Sequence, residues 1–243
     1  MMIAVILTAG TGTRLRPLTE NKPKSLLKIN EMTLLERFIK TFVENNVNKF
    51  IFVVGHFKEK IEEFSPLLEK KYNIDVKIVE NEKYDVTNTS CSTYLASSEL
   101  DEDFILINGD NVLDSQIIKK VVNSENTAMV IDNDKKLNEE SFKVIIENGI
   151  IKEIGKELDI KSSTGEFIGV SKVVKKDLNE FNNELLTLIE EDPQNYYDFA
   201  YKNLSKTNKI DFILTNGLKW TEIDDFDDWN LAKKIIKDLD SKS

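Results

Sequence analysis

Residues 7–19, LTAGTGTRLRPLT, decide how the rest of the chain is read. They follow the apolar run Ile3–Leu7, which has the length and composition of a strand buried on both faces. Two glycines and small threonines then open a loop in which backbone amides can approach an anion and form a concave site for it. Arg14, and Lys24 a little further on, would add charge-assisted hydrogen bonds to phosphate oxygens, with Thr11 and Thr13 donating hydroxyls. The same residues also fit a plain strand-to-helix turn bearing surface arginines. Two common glycine loops are excluded. G-x-G-x-x-G fails because Leu15 follows Gly10 and Gly12, and no G-x-x-x-x-G-K-[ST] pattern can be drawn around Gly10.

Bulk properties narrow the chemistry. The 243 residues carry a net charge of -10, which argues against a nucleic-acid partner, since such proteins usually present a basic face. No stretch reaches the roughly 20 apolar residues that span a bilayer, and Met1–Leu7 has no basic leader, so it reads as strand and a cytoplasmic, membrane-free protein is expected. His56 and Cys91 are the only residues of their kinds, which excludes an internal disulfide and a cysteine-based metal cluster. Catalysis would rest on carboxylates, lysines, arginines and backbone amides.

Working outward, periodicity predicts a helix over Met32–Asn45, a strand at Lys49–Val54, a helix at Glu59–Lys71 and a strand at Asp75–Val79. Ser90–Leu100 reads as helix, and Phe104–Ile107 as a strand running into Asn108-Gly109-Asp110. Strands at Thr127–Ile131 and Phe142–Ile146 follow. Asn148-Gly149 is a hairpin signal before Ile150–Ile154, and Gly165–Val174 returns to the sheet. Helices are expected at Leu178–Glu191, Tyr196–Leu204 and Trp229–Leu239. This alternation implies an α/β protein with a mostly parallel sheet, and nothing in it marks a linker, so residues 1–243 read as a single domain.

The long composite L-x-A-G-x-G-T-R-L-x-P-L-T, followed by K-P-K-S-L-L from Lys22, resembles the signature of the nucleotidyltransferases that make nucleoside-diphosphate sugars and related activated head groups. Later landmarks agree with the resemblance: N-G-D at Asn108–Asp110, G-E-F-I-G-V at Gly165–Val170, and W-T-E-I-D-D at Trp220–Asp225. It implies a three-layer, Rossmann-like α/β fold with a mostly parallel mixed sheet, an N-terminal nucleotide half and a C-terminal acceptor half. It also implies that a phosphate monoester attacks the α-phosphorus of a nucleoside triphosphate and releases pyrophosphate. Arg14 and Lys24 are the implied catalytic cations, and Asp110 and Asp224 the implied Mg2+ ligands. Asp225 and Asp227 read as helix-cap residues. Leu7, Ala9, Gly10, Thr11, Gly12, Thr13, Asn88 and Ser92 complete the implied nucleotide site, although Asn88 and Ser92 equally suit an ordinary helix start.

The acceptor is less constrained. The Glu-Lys-Pro motif common among sugar-1-phosphate enzymes of this family is absent, and Ile154-Gly155-Lys156 stands nearest to its place. Together with T-N-T-S-C-S-T-Y-L-A at Thr87–Ala96, the pattern looks closest to cytidylyltransferases of the phosphocholine type. That resemblance favours CTP and a small phosphorylated or phosphonylated acceptor. A head-group amine wants aromatic faces and carboxylates. Glu166, Tyr197, Trp220 and Glu222 are therefore the expected head-group residues, and Lys156 the expected holder of the acceptor phosphate, with a core-packing role open for Tyr197 and Trp220 and a surface role for Lys156. A sugar 1-phosphate or an inositol phosphate is the alternative acceptor. The oligomeric state is not legible.

Overall fold

The computed structural model describes residues 2–241. Its first half contains β1 (Met2–Leu7), β2 (Lys28–Ile29), β3 (Met32–Thr33), α1 (Leu34–Glu44), β4 (Lys49–Val54), α2 (Lys58–Tyr72), β5 (Asp75–Glu80), α3 (Thr89–Ser97), β6 (Asp103–Asn108), β7 (Asn111–Leu113) and α4 (Ser115–Val122). The second half adds β8 (Thr127–Asp132), β9 (Lys143–Glu147), β10 (Ile150–Gly155), β11 (Gly165–Val173), α5 (Leu178–Glu191), α6 (Ala200–Thr207), β12 (Ile210–Leu214), β13 (Trp220–Glu222) and α7 (Phe226–Asp240).

Among the described residues, nine strands share one sheet. Its path runs β5-β4-β1-β6-β11-β8-β12, and the β9–β10 hairpin joins the first residues of β11. β11 is antiparallel to β6, β8 and β9, and β10 is antiparallel to β9; the other adjacent pairs are parallel. This is the mostly parallel mixed sheet implied by the sequence. From β1 the chain crosses to β4 and β5 on one side, then returns to β6 on the other. Ligands of open α/β sheets bind in the crevice beyond the strand carboxyl ends at such a reversal, and here those ends are Leu7 and Asn108, which are register partners.

Strand alternation makes three layers. Ile3 and Val5 of β1 and Phe104 and Leu106 of β6 face a core closed by α3, α5 and α6 through Ala96, Phe181 and Tyr201. Ala4, Ile6, Ile105 and Ile107 face the opposite core, closed by α1, α2 and α4 through Phe38, Phe42, Ile61 and Ile118. A third, smaller cluster packs α7 through Ala232, Ile235 and Ile236 against Leu15, Leu27 and Leu34.

Several boundaries differ from the periodicity. Helix α1 starts at Leu34 rather than Met32, because Met32–Thr33 pairs with Lys28–Ile29 and Thr33 becomes the N-cap, its Oγ1 accepting from Glu36 N at 3.1 Å. Helix α3 ends at Ser97 and not Leu100. The stretch from Tyr196 begins as a 3-10 turn at Tyr197–Phe199 before α6. Helix α7 begins three residues early, at Phe226, because Asp225 and Asp228 form a capping box there. Helix α4 and strands β2, β3, β7, β12 and β13 lie outside the elements expected from sequence.

The Asn148-Gly149 hairpin forms as read, with φ of 53° and 76° at its two residues. Gly169 also sits in the left-handed region, at φ 69°, and a Cβ there would drive into the Asn108 amide. Gly149→Ala meets open space, so backbone strain alone is expected to cost about 1 kcal/mol. Gly169→Ala is expected to cost about 1–3 kcal/mol more through the added clash. Urea unfolding of the two variants against the parent protein reads the difference, and equal losses would mean that Asn108 yields freely.

Candidate active site

The quoted loop leaves β1 at the crevice. Leu15 is buried under α7, and Gly12, at φ 60°, turns the chain so that its carbonyl accepts from Thr19 Oγ1 at 2.7 Å. Among the described residues, the amides of Gly10 to Arg14 donate no hydrogen bond within the protein. Five successive free amides make the kind of concave surface that holds an anion.

Across the crevice, Gly109 N donates to Leu7 O at 2.9 Å, and the approach leaves no room for a Cβ. The next residue, Asp110, thereby stands at the mouth of β1. β13 pairs antiparallel with β7, and Ile223 N donates to Asp110 O at 3.1 Å, which places Asp224 beside Asp110. Lys24 Nζ then donates to Asp110 Oδ2 at 2.9 Å and to Asp224 Oδ1 at 3.1 Å, while Arg14 Nη2 lies 3.1 Å from the same Asp224 oxygen.

Electrostatics follow from this packing. Burial alone would lower the Lys24 ammonium, but Asp110 and Asp224 hold it above the ordinary lysine value. Burial would raise Asp224, and the charges of Lys24 and Arg14 outweigh it and hold that carboxyl low. Glu222 lacks such a cation at contact. Burial, then the Asp110 and Asp224 charges, push it up to about 8, while Asn108 Nδ2 donates to it at 3.3 Å.

Asp110 and Asp224 fit a hard divalent cation. Both already converge on one positive centre, and Asp110 Oδ1 is buried without a hydrogen-bond donor. Among the described residues no group of three or more His, Cys, Asp or Glu side chains is gathered for a metal. A pair suits Mg2+, which commonly takes one or two carboxylates beside substrate phosphates.

A cleft of about 740 Å³ opens over these groups. Of the residues singled out from sequence for the nucleotide, Leu7, Ala9, Gly10, Thr11, Arg14, Asn88, Ser92 and Asp110 line it. Lys156, Glu166, Tyr197, Trp220, Glu222 and Asp224 line it too. Gly12 and Thr13 do not reach the wall, and Thr13 is exposed. Lys24 acts on the cleft through its two carboxylates. Asn88 is also the N-cap of α3, its Oδ1 accepting from Thr89 N at 2.8 Å, so both readings of that residue hold together. Ser92 is fixed by Asn81 Nδ2, 3.0 Å away. Trp220 and Tyr197 likewise belong to the two main cores while bordering the cleft.

Sequence reading missed Asn81, Tyr84, Asn108, Lys135 and Asp198, all of which line the cleft. Only Asn108 had a signal, as the first residue of N-G-D. Its Oδ1 accepts from the Tyr197 hydroxyl at 3.5 Å. Lys156 Nζ pairs with Glu140 Oε2 at 3.3 Å, close enough to the carboxylates to act on Asp224 and Asp198. Among the described residues no helix is long and apolar enough to cross a membrane.

The model of the family described as Nucleotidyl transferase matches residues 3–157. The chain is 30% identical over 238 residues to the Bifunctional IPC transferase and DIPP synthase of Aquifex aeolicus, covering 96% of this chain and 51% of that protein. It is 42% identical over 112 residues to the choline-phosphate cytidylyltransferase of Streptococcus pneumoniae, covering 46% of each. The chain thus spans about half the length of the curated relatives it matches. The solved structure of a CTP:phosphocholine cytidylyltransferase from Streptococcus pneumoniae superposes with a TM-score of 0.79 at 28% identity, covering 97% of this chain and 99% of that one.

Asp198 offers a test of how dry the cleft wall is. Burial pushes its carboxyl from 3.8 up to about 7. The unfolded chain ionises this group first, so the stability it contributes is full below about pH 4 and is lost as pH rises to about 7. Asp198→Asn lacks that loss. Its melting temperature is expected to exceed that of the parent protein by a margin that grows from about pH 4 to about pH 7 and then levels, reaching a few °C. A margin that stays flat in scanning calorimetry would show a solvated carboxylate.

Proposed function

The chain belongs to the nucleotidyl transferase family, and on that premise we propose that it is a Mg2+-dependent cytidylyltransferase acting as a single domain. It joins CTP to a small phosphorylated or phosphonylated acceptor that carries an amino group. The observation that carries this reading is the convergence of Arg14, Lys24, Asp110 and Asp224 at the sheet's reversal point, beside the free amides of Gly10 to Arg14.

In the proposed reaction an acceptor oxygen forms a bond to the α-phosphorus. The bond from that phosphorus to the bridging oxygen breaks, and pyrophosphate leaves with the electron pair. The attacking oxygen is already anionic near neutral pH, so no histidine base and no covalent intermediate are required. The obstacle is repulsion between two anions, and the answer is positioning plus pre-placed positive charge. The loop amides and Arg14 hold the β- and γ-phosphates and stabilise the leaving group. Lys24 is placed to steady the α-phosphate and the incoming oxygen, exchanging carboxylate partners for phosphate ones. Asp110 and Asp224 would hold Mg2+, which as a Lewis acid supplies further neutralisation of phosphate charge.

The preference for CTP rests on similarity to the choline-phosphate enzyme. The amino-bearing acceptor rests on Trp220 and Glu166, which line the cleft. A second reading, a sugar 1-phosphate or inositol phosphate acceptor, is favoured by Glu140, Lys156 and Glu166, which can hydrogen-bond hydroxyls from the same wall.

The test is pyrophosphate release from CTP, UTP, dTTP, GTP or ATP paired with phosphocholine, phosphoethanolamine, 2-aminoethylphosphonate, inositol phosphate or glucose 1-phosphate, with Mg2+ and with EDTA. Release is expected with CTP and an amino-bearing acceptor, and EDTA is expected to stop it. Lys24→Ala and Asp110→Ala are each expected to lower kcat by roughly 10²–10³-fold. Turnover only with a sugar or inositol phosphate would establish the second reading. Tight CTP binding with no pyrophosphate released in any pairing would overturn both.

A further inference from the structure

The acceptor wall already holds a positive charge of the protein's own. Lys135 Nζ lies 4.6 Å from the centre of the Trp220 ring and 3.6 Å from Glu166 Oε2. An aromatic face beside a carboxylate is the pairing that binds an ammonium ion.

The arrangement is built rather than casual. Trp220 Nε1 donates to the Asp132 carboxylate, which also accepts from Thr215 Oγ1 at 3.0 Å, Asp134 N at 2.9 Å and Lys135 N at 3.2 Å. One buried carboxylate therefore fixes both the plane of the indole and the point from which the Lys135 side chain departs.

Lys135 nevertheless satisfies the seat only in part. Glu166 is 7% exposed, and its Oε2 is buried without a hydrogen-bond donor; the 3.6 Å to Lys135 is too long to be one. The lysine side chain is 43% exposed, so its hold is screened by water and easily given up. An untethered primary ammonium can close to hydrogen-bond distance of that oxygen and donate to it. A quaternary ammonium has no N–H and would leave the same oxygen orphaned, an unfavourable state for a buried carboxylate.

We propose that Lys135 is a tethered stand-in for the acceptor's ammonium, occupying a Trp220–Glu166 seat built for a primary ammonium and giving it up when the acceptor binds. The proposal rests on the amino-bearing acceptor proposed above and narrows it to acceptors with a primary amine.

The experiment measures binding, which keeps it separate from turnover. The full chain and Lys135→Met, which keeps side-chain length and removes the charge at an exposed position, are titrated calorimetrically in the presence of CTP and EDTA. The probes are phosphoethanolamine, phosphocholine and ethylene glycol phosphate. Lys135→Met is expected to bind phosphoethanolamine about fivefold more tightly than the parent chain, to gain less for phosphocholine, and to be unchanged for ethylene glycol phosphate. Adding Glu166→Gln is expected to abolish the gain. Unchanged or weaker phosphoethanolamine binding in Lys135→Met would overturn the proposal, as would an equal gain for phosphocholine or no binding of either amine by either protein. Failure of the functional reading registers instead as absent pyrophosphate release.

Discussion

One ammonium holds together three stretches of chain that are remote in sequence. Lys24 stands 86 residues from Asp110 and 200 from Asp224, yet it hydrogen-bonds both. Without it, two carboxylates would face each other at the end of the sheet with Glu222 close behind, in a setting where burial already disfavours charge. Arg14 relieves only Asp224. A buried ion group of this kind is a weak source of stability, because desolvation offsets much of the attraction, but losing one member leaves the others uncompensated. Its value is positional. It keeps Lys24 and Arg14 beside the two carboxylates, so that in the proposed reaction phosphate oxygens entering the cleft would replace partners instead of creating a charge centre from nothing.

The sheet supplies the rest of the geometry. The reversal at β1 leaves the crevice between Leu7 and Asn108, and Gly109 lets the two strand ends close on each other. The single antiparallel strand of the main path, β11, then carries part of the cleft wall. It presents Glu166 to the cleft, and Ile168 O accepts from Asn111 Nδ2 at 2.9 Å, tying that strand to the Asp110 turn. The cleft residues of β6 and β11 thus hang from adjacent strands, and their spacing is set by backbone hydrogen bonds.

What was legible in the sequence is what depends on local pattern. Ile3–Leu7, the glycine loop and the Asn148-Gly149 turn could be read before any coordinates, since each is a short run whose chemistry is its own signal, while Asn108–Asp110 and Asp224 were singled out by the family resemblance of their segments. Helix α4 was missed because Ser115–Val122 is only eight residues long and places two apolar pairs around two lysines. β7 and β13 are three residues each and exist only because they pair with one another. Asp132, Lys135 and Asp198 sit in no motif. Their roles come from long-range placement, such as the donors that meet at Asp132 from residues up to 88 positions away. The α7 boundary moved for a local reason, a capping box, that an acidic run hides among its own members.

That capping box has a consequence for how the protein is made. Asp228, which closes the cap of α7, also accepts from Asp224 N at 3.0 Å, and the same helix packs Ile235 and Ile236 beneath Leu15 of the glycine loop. Translation delivers the loop long before these residues. A chain still on the ribosome therefore carries Lys24 with one of its two carboxylates and Leu15 without its cover, even when β1 to β6 have paired. Helix α7 packs beneath the glycine loop and, through Asp228, fixes Asp224, so the floor of the loop and the second carboxylate take their places together.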